Sequence, residues 1–153
     1  MPDTIIMNDA LLAVGTGTAS ADRSLSNRLR SLTWKREFEE HDVTVMGNVN
    51  RVRALGLGDS SLEGELLQSY STGDAGENID ALMNTLLDRS ASGKPFLVRF
   101  RPKNTNRSAS NPEYSMLVVL ADHTIAEGEV GQPQMTPFTF LSAGDISRAT
   151  ATT

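Results

Sequence analysis

The sequence predicts a single, mainly β domain with one flanking α-helix. The chain has 153 residues, which is the size of one domain. Alternating apolar and polar residues recur in several short segments, whereas helical periodicity occurs in only one. Apolar residues make up 39% of the chain and there is no cysteine, so the core needs no disulfide or zinc-thiolate support. We therefore expect a β-sandwich or half-barrel formed by residues 1–153.

Residues 74–90 give the helical signal. The apolar positions of this segment recur at helical spacing: Ile79, Leu82, Met83, Leu86 and Leu87. Asp74 or Asn78 could cap its beginning, and Gly93 and Pro95 follow its end. This pattern is more typical of ordinary core packing than of a cofactor site.

Five segments have the alternation typical of strands: Leu32–Phe38, Leu62–Tyr70, Pro95–Pro102, Tyr114–Ala126 and Met135–Thr150. The spacing of Leu25, Leu29 and Leu32 also fits a helix, but we favour a strand there. Turn residues between the last two segments predict that these segments pair as a hairpin. Because Tyr114–Ala126 is apolar on both faces, we expect it to be buried on both.

Residues 39–58 are predicted to form a long, irregular loop. The segment is too long for a tight hairpin and is rich in glycine, asparagine and charged residues. Loops of this length in a compact domain are usually functional or disordered.

The distribution of charge limits the function. Fourteen basic and nineteen acidic residues give a net charge of −5, which argues against binding nucleic acid through phosphate contacts. Basic residues are absent from 54–88 and 108–147, and these acidic stretches alternate with basic ones. The pattern fits either scattered solvated charge or a self-assembling subunit with complementary surfaces. Without a signal-like or membrane-spanning segment, we expect a soluble protein.

Catalytic and metal-binding motifs are missing from the sequence. His41 and His123 each follow or precede an aspartate, but neither accompanies a nucleophile-elbow motif. The Gly-x-Gly pieces at Gly15 and Gly56 do not continue into phosphate-binding loops, and the acids at 37–42 lack the spacing of a calcium loop. We therefore predict no catalytic residue, no metal and no cofactor.

The order of short motifs resembles a known family. The motifs are Asp42–Gly47, Gly56–Gly64, the helix, Phe100–Pro102, Asn111–Tyr114, Phe138–Phe140 and Gly144–Ala149. In this order, over about residues 22–150, the chain resembles the tail tube (major tail) proteins of long-tailed bacteriophages, particularly siphoviruses.

The resemblance implies a tail-tube fold and a structural function. Subunits would form hexameric rings that stack into the hollow tail tube, the conduit for DNA ejection into the host. They would be assembled in the host cytoplasm and reside in the virion tail. The partners would be other copies of the chain, the tape measure protein, the tail terminator and distal tail proteins. Double-stranded DNA would pass through the lumen without specific binding, and no membrane would be involved.

The resemblance also implies candidate contact residues. In the family, the segment like Glu39–Arg53 reaches the neighbouring ring, and the N-terminal segment, here residues 1–20, often contacts an adjacent subunit. The implied inter-ring contacts are Asp42, Thr44, Met46 and Gly47.

Two hypotheses concern charge. Glu63, Glu65, Glu127 and Glu129 lie in acidic segments taken as strand-like, and an acidic lumen would repel phosphate. We expect them to face the lumen, with an outer-surface position as the alternative. A second set is predicted to pair with acids across subunit contacts: Arg28, Arg30, Arg99 and Arg101.

Other functions remain open at this point. The chain could be a tail terminator, a baseplate ring component, or a tube subunit of a contractile or secretion machine. A monomeric ligand-binding β-barrel would use Tyr114–Ile125 to line its pocket. An enzyme would require His41 or His123.

Overall fold

The computed structural model describes residues 9–70 and 78–151. Within these residues the chain forms one helix, α1 (Ile79–Ala91), and eight strands. The strands are β1 (Leu11–Val14), β2 (Arg23–Ser24), β3 (Leu29–Asp42), β4 (Arg53–Leu67), β5 (Phe96–Arg101), β6 (Glu113–His123), β7 (Met135–Ser142) and β8 (Ser147–Ala149). The mainly β prediction is confirmed.

All described strands belong to one antiparallel sheet in the order β2-β1-β5-β6-β7-β4-β3. The predicted hairpin of β6 and β7 is confirmed, while β8 pairs with the beginning of β6 at Glu113–Ser115. The sheet is strongly curved, because Trp34 of β3 and Tyr114 of β6 have ring centroids only 6.4 Å apart. Three strand spacings in a flat sheet would separate them by roughly 14 Å. The architecture is therefore a half-barrel.

The concave side of the sheet holds the core. Alternate residues of β5, β6 and β7 point inwards, and the rings of Phe96 and Phe140 meet edge to face at 5.2 Å. The inner residues of these strands are Phe96, Val98, Met116, Val118, Leu120, Thr136, Phe138 and Phe140. The prediction that Tyr114–Ala126 is buried on both faces was wrong. Leu117 and Val119 are half-buried on the convex side, and Ile125 lies beyond β6 and is exposed.

The helix packs on the core side of the sheet, where Ile79, Leu82, Met83 and Leu86 join the core. It begins at Ile79, with Asn78 as the N-cap: the Asn78 side chain accepts a hydrogen bond from the Ala81 amide at 3.0 Å. The other predicted cap, Asp74, lies outside the described residues. Four predicted apolar positions are buried, but Leu87 is partly exposed. Ser90 accepts a hydrogen bond from the Leu120 amide at 2.8 Å, which joins the helix to β6.

Strands β3 and β4 form a hairpin much longer than expected. Pairing continues to Asp42 and Arg53, so the prediction of an irregular loop at 39–58 was wrong; only residues 43–52 connect the strands. Glycines such as Gly58 favour a loop when only the sequence is considered. In the hairpin, Gly58 makes room for the Phe38 ring, which lies 2.8 Å from where a Cβ would stand. β7 pairs with β4 only over Ser61–Leu67. We call residues 37–60, which extend beyond β7, the arm.

Two further boundaries differ from the sequence prediction. β3 begins at Leu29, which favours the strand interpretation, while Leu25 is buried ahead of it. The segment Met135–Thr150 is divided into β7 and β8, because the chain leaves the sheet at residues 143–146, around Gly144.

Gly64 offers a test of the packing between β3, β4 and β7. A Cβ at this position would lie 2.5 Å from the Ser31 carbonyl oxygen and 3.0 Å from the Phe138 ring. We expect Gly64→Ala to lower the free energy of unfolding by about 1–3 kcal/mol, because backbone and a core ring would have to move. Gly17→Ala is the control, since its Cβ would meet nothing within 4 Å. Urea unfolding of the two variants measures the difference, and equal midpoints would contradict this packing.

Candidate interaction surfaces

The arm concentrates exposed apolar side chains. Eight of the thirteen large hydrophobic residues exposed in the described part of the chain lie on it: Phe38, Val43, Val45, Met46, Val49, Val52, Leu55 and Leu57. Met46 and Val49 are fully exposed. Clusters of exposed apolar residues in a soluble fold mark sites of interaction with another molecule.

The tip of the arm is held by a small hydrogen-bond network. The Asp42 carboxylate accepts hydrogen bonds from the amide, at 3.0 Å, and from the hydroxyl of Thr44. The Thr44 hydroxyl oxygen accepts one from the Val52 amide at 2.9 Å. Gly47 has φ +102°, a backbone conformation that favours glycine. Of the four predicted inter-ring residues, Asp42, Thr44 and Gly47 thus shape the turn, while Met46 offers an apolar side chain for contact.

An acidic surface covers the convex face of β3, β4, β7 and β6. Glu63 and Glu65 alternate with the inward Leu62 and Leu66, so the prediction of an exposed acidic face on this strand is consistent with the fold. Strand pairing places five acids and one lysine on the same face: Glu37, Asp59, Glu63, Glu65, Asp122 and Lys35. Lys35 is paired with Glu37. We call this face the acidic face.

Glu127 and Glu129 are not in a strand, so their strand-like prediction was wrong. They belong to the connection 124–134 between β6 and β7, where Glu127 only forms an isolated bridge with Met135. This connection contains Gly128, Gly131 and Pro133, and Gly131 turns the chain with φ +85°. Both glutamates still line a groove together with Glu65 and Arg30. The groove thus brings together three of the four residues predicted to face the lumen: Glu65, Glu127 and Glu129.

The predicted arginine partners fall into two groups. Arg99 and Arg101 contact Glu113 of their own chain, with Nε–Oε2 distances of 3.8 and 3.2 Å, and Arg107 adds an Nη1–Oε1 contact of 3.3 Å. Because the ion pairs of the described residues include neither Arg28 nor Arg30, these two remain candidates for contacts with another molecule.

Sequence reasoning missed Glu113. It lies in a stretch without basic residues, and its partners come from β5 and the following loop. The alternation of β5 and β6, once paired, would have indicated the contact, since it places Arg101 and Glu113 on the same face.

A second feature missed from the sequence is an apolar pocket of about 290 Å³. Its lining is Trp34, Arg36, Phe100, Tyr114 and Ile146. The indole Nε1 of Trp34 is buried and has no hydrogen-bond partner among the described residues. We call it the Trp34 pocket.

The histidines do not form a catalytic arrangement with their neighbouring aspartates. His41 lies on the arm, 3.6 Å from Glu39. His123 ends β6, where the adjacent Asp122 points to the opposite face. Within residues 9–70 and 78–151, no cluster of three or more histidine or acidic side chains could hold a metal ion. The helix of the described chain is too short and polar to cross a membrane.

Comparison with known proteins supports the fold. No protein-family model matches the sequence, and no curated protein sequence is significantly similar to it. Among solved structures, the tail of an empty gene transfer agent particle with six-fold symmetry aligns with a TM-score of 0.69 and 16% identity, covering 95% of this chain and 99% of that one. The SPP1 tail tube aligns with a TM-score of 0.69 and 11% identity, covering 98% and 81%.

The same fold occurs in a contractile system. A chain of the sheath–tube complex of the extracellular contractile injection system PVC aligns with a TM-score of 0.58 and 7% identity, covering 99% of this chain and 95% of that one. The mainly β half-barrel with one helix is therefore a tail-tube fold, as the resemblance implies.

The tip network predicts a pH dependence. Hydrogen bonds from Thr44 hold the pKa of Asp42 below its ordinary value of 3.8. The contribution of the carboxylate to the folded tip is thus fully present above that value and is lost as the pH falls through the lowered pKa. An NMR titration should show the Thr44 amide shift changing below pH 3.8, and Thr44→Val should raise the midpoint towards it. A wild-type midpoint above that of Thr44→Val would contradict the network.

The Glu113 cluster predicts a stability effect. The Glu113 side chain is 11% exposed and contacts three partly buried arginines, so Glu113→Gln leaves these cations without their counter-charge. We expect a loss of about 1–3 kcal/mol in the free energy of unfolding, compared with almost none for the exposed control Glu129→Gln. Thermal unfolding of both variants measures this, and equal stabilities would show that the cluster is not stabilising.

Proposed function

We propose that this chain is the structural subunit of a phage-like tail tube, in which hexameric rings stack into a hollow conduit for DNA. The observation that carries the proposal is the arm, a projecting hairpin with eight exposed apolar residues on a fold shared with a six-fold symmetric tail. Such a hairpin requires a partner surface, and stacked copies of the same subunit provide one. The protein would then reside in the virion tail.

In this proposal the arm makes the contact between rings. Met46 and the neighbouring valines of the tip would be buried against the next ring, while Asp42, Thr44 and Gly47 keep the tip in shape. Burial of apolar area contributes about 25 cal/mol per Å², so several such side chains provide a substantial part of the stacking free energy.

The acidic face would line the lumen. Four strands from each of six subunits give 24 strands, and at ~4.8 Å spacing with some tilt they close a barrel of ~40 Å backbone diameter. β3, β4, β7 and β6 are the four strands that present the acidic face. Glu63 and Glu65, with Glu127 nearby, would repel DNA phosphates and so prevent the genome from adhering to the wall.

The remaining parts of the function are also proposals. The role is purely structural, without catalysis or cofactor, and the further partners are the tape measure, terminator and distal tail proteins.

Residues 1–8 of the N-terminal segment lie outside the described chain, and its contact with an adjacent subunit stays a prediction. A tube inside a contractile machine is the second candidate, because the fold also matches a chain of a contractile injection system.

The assembly of the purified protein tests the proposal. Negative-stain electron microscopy across a concentration series, with mass photometry, should show six-fold rings and hollow tubes. Met46→Asp with Val49→Asp should prevent stacking without lowering thermal stability, because both side chains are fully exposed in the single subunit.

The control adds the same charge elsewhere. Asn104→Asp with Ala109→Asp changes two exposed residues of the β5–β6 loop and should assemble like the wild type. Tubes from the arm variant at wild-type concentrations would refute the contact assigned to the arm. A wild-type protein that stays monomeric at every concentration, even with tail-tip components added, would refute the function.

A further inference from the structure

The Trp34 pocket is an apolar site at the surface. Trp34, Phe100, Tyr114 and Ile146 form its apolar walls, and the exposed Arg36 also lines it. The Trp34 Nε1 itself is buried and has no hydrogen-bond partner in the described chain. The apolar walls and Arg36 suit an apolar side chain next to an acidic group.

The connection between β6 and β7 presents a matching group. Val130 is fully exposed at its tip and is followed by Gly131, whose φ of +85° turns the chain there. Glu129 directly precedes Val130, and Glu127 lies on the same connection. An exposed valine with acids beside it is the chemical complement of an apolar pocket beside an arginine.

The two features lie at opposite ends of β6. Tyr114 is near the beginning of this strand, whereas the connection starts after its last residue, His123. Nine residues of strand span roughly 30 Å, so Val130 cannot enter the pocket of its own chain. Contact between copies would join one end of a subunit to the other end of the next. Such head-to-tail contacts produce open filaments unless they close into a ring.

We propose that Val130 of one copy inserts into the Trp34 pocket of another copy, with Glu129 paired to Arg36. This inference rests on the proposed function and names a second contact between subunits in addition to the arm.

Charge supports this occupant over the arm tip. Arg36 takes part in none of the ion pairs of the described residues, and Glu127 and Glu129 are exposed acids near Val130. At the arm tip, residues 43–50 contain no acid. A neighbouring copy that inserts Met46 instead would leave Arg36 without a counter-charge.

Disulfide cross-linking tests the contact, because the chain contains no cysteine. Val130→Cys with Ile146→Cys in one chain should give a ladder of reducible oligomers when assembled tubes are oxidised. Each single variant should give no ladder, since one cysteine per chain can join only two chains. Ala109→Cys with Ile146→Cys is the matched control and should also give none.

Each result decides something different. Tubes without a ladder from the Val130 pair would overturn this contact and leave the proposed function standing. A ladder from Met46→Cys with Ile146→Cys, without one from the Val130 pair, would assign the pocket to the arm and also overturn it. A chain that never forms tubes would overturn both proposals.

A charge exchange provides an independent test. Arg36→Glu should raise the concentration needed for assembly about tenfold, and adding Glu129→Arg should restore it, because the exchanged pair attracts again. Circular dichroism confirms that each variant is folded. If the double variant assembles no better than Arg36→Glu alone, Arg36 and Glu129 do not form the pair.

Discussion

Strand β4 is paired on both sides over only half of its length. The arm and the acidic face both depend on this constraint. β7 reaches no further than Ser61, so residues 53–60 have β3 as their strand neighbour. Two-stranded hairpins are at best marginally stable in water. The arm is partly supported by Phe38 over Gly58 and by the Arg53–Glu40 ion pair at 2.9 Å. Its apolar tip nevertheless remains uncovered in the single chain, which is why a second copy is the natural partner.

The same strand links the arm, the core and the acidic face. Because side chains alternate along β4, Leu62 and Leu66 enter the core while Glu63 and Glu65 project from the convex side. Displacing the register by one residue would bury the glutamates and expose the leucines. The core thus fixes which face is acidic, and the direction of β4 beyond Ser61 fixes where the arm extends. Assembly surfaces at different ends of one rigid sheet are suited to a filament.

The sequence predicts most strands and the helix because their side chains alternate, or recur at helical spacing, against one core. It fails where distant residues decide the structure. Gly58 suggests a loop until the Phe38 ring covers it, and the pairing of Glu113 with three arginines depends on strand neighbours. The Trp34 pocket combines residues from four separate segments, so no local pattern indicates it. The tip that carries Met46 is shaped by the hydrogen bond between the Thr44 hydroxyl and the Val52 amide, two residues that are eight positions apart in the chain.

The central claim is that six subunits form each ring of a tube wall, with the acidic face towards the lumen and the arm between rings. A cryo-EM helical reconstruction of the assembled protein tests this most directly. The account predicts six subunits per ring, Glu63 and Glu65 facing the lumen, and Met46 buried against the adjacent ring. A reconstruction with the acidic face on the outer wall, or with the arm free in solvent, would contradict it.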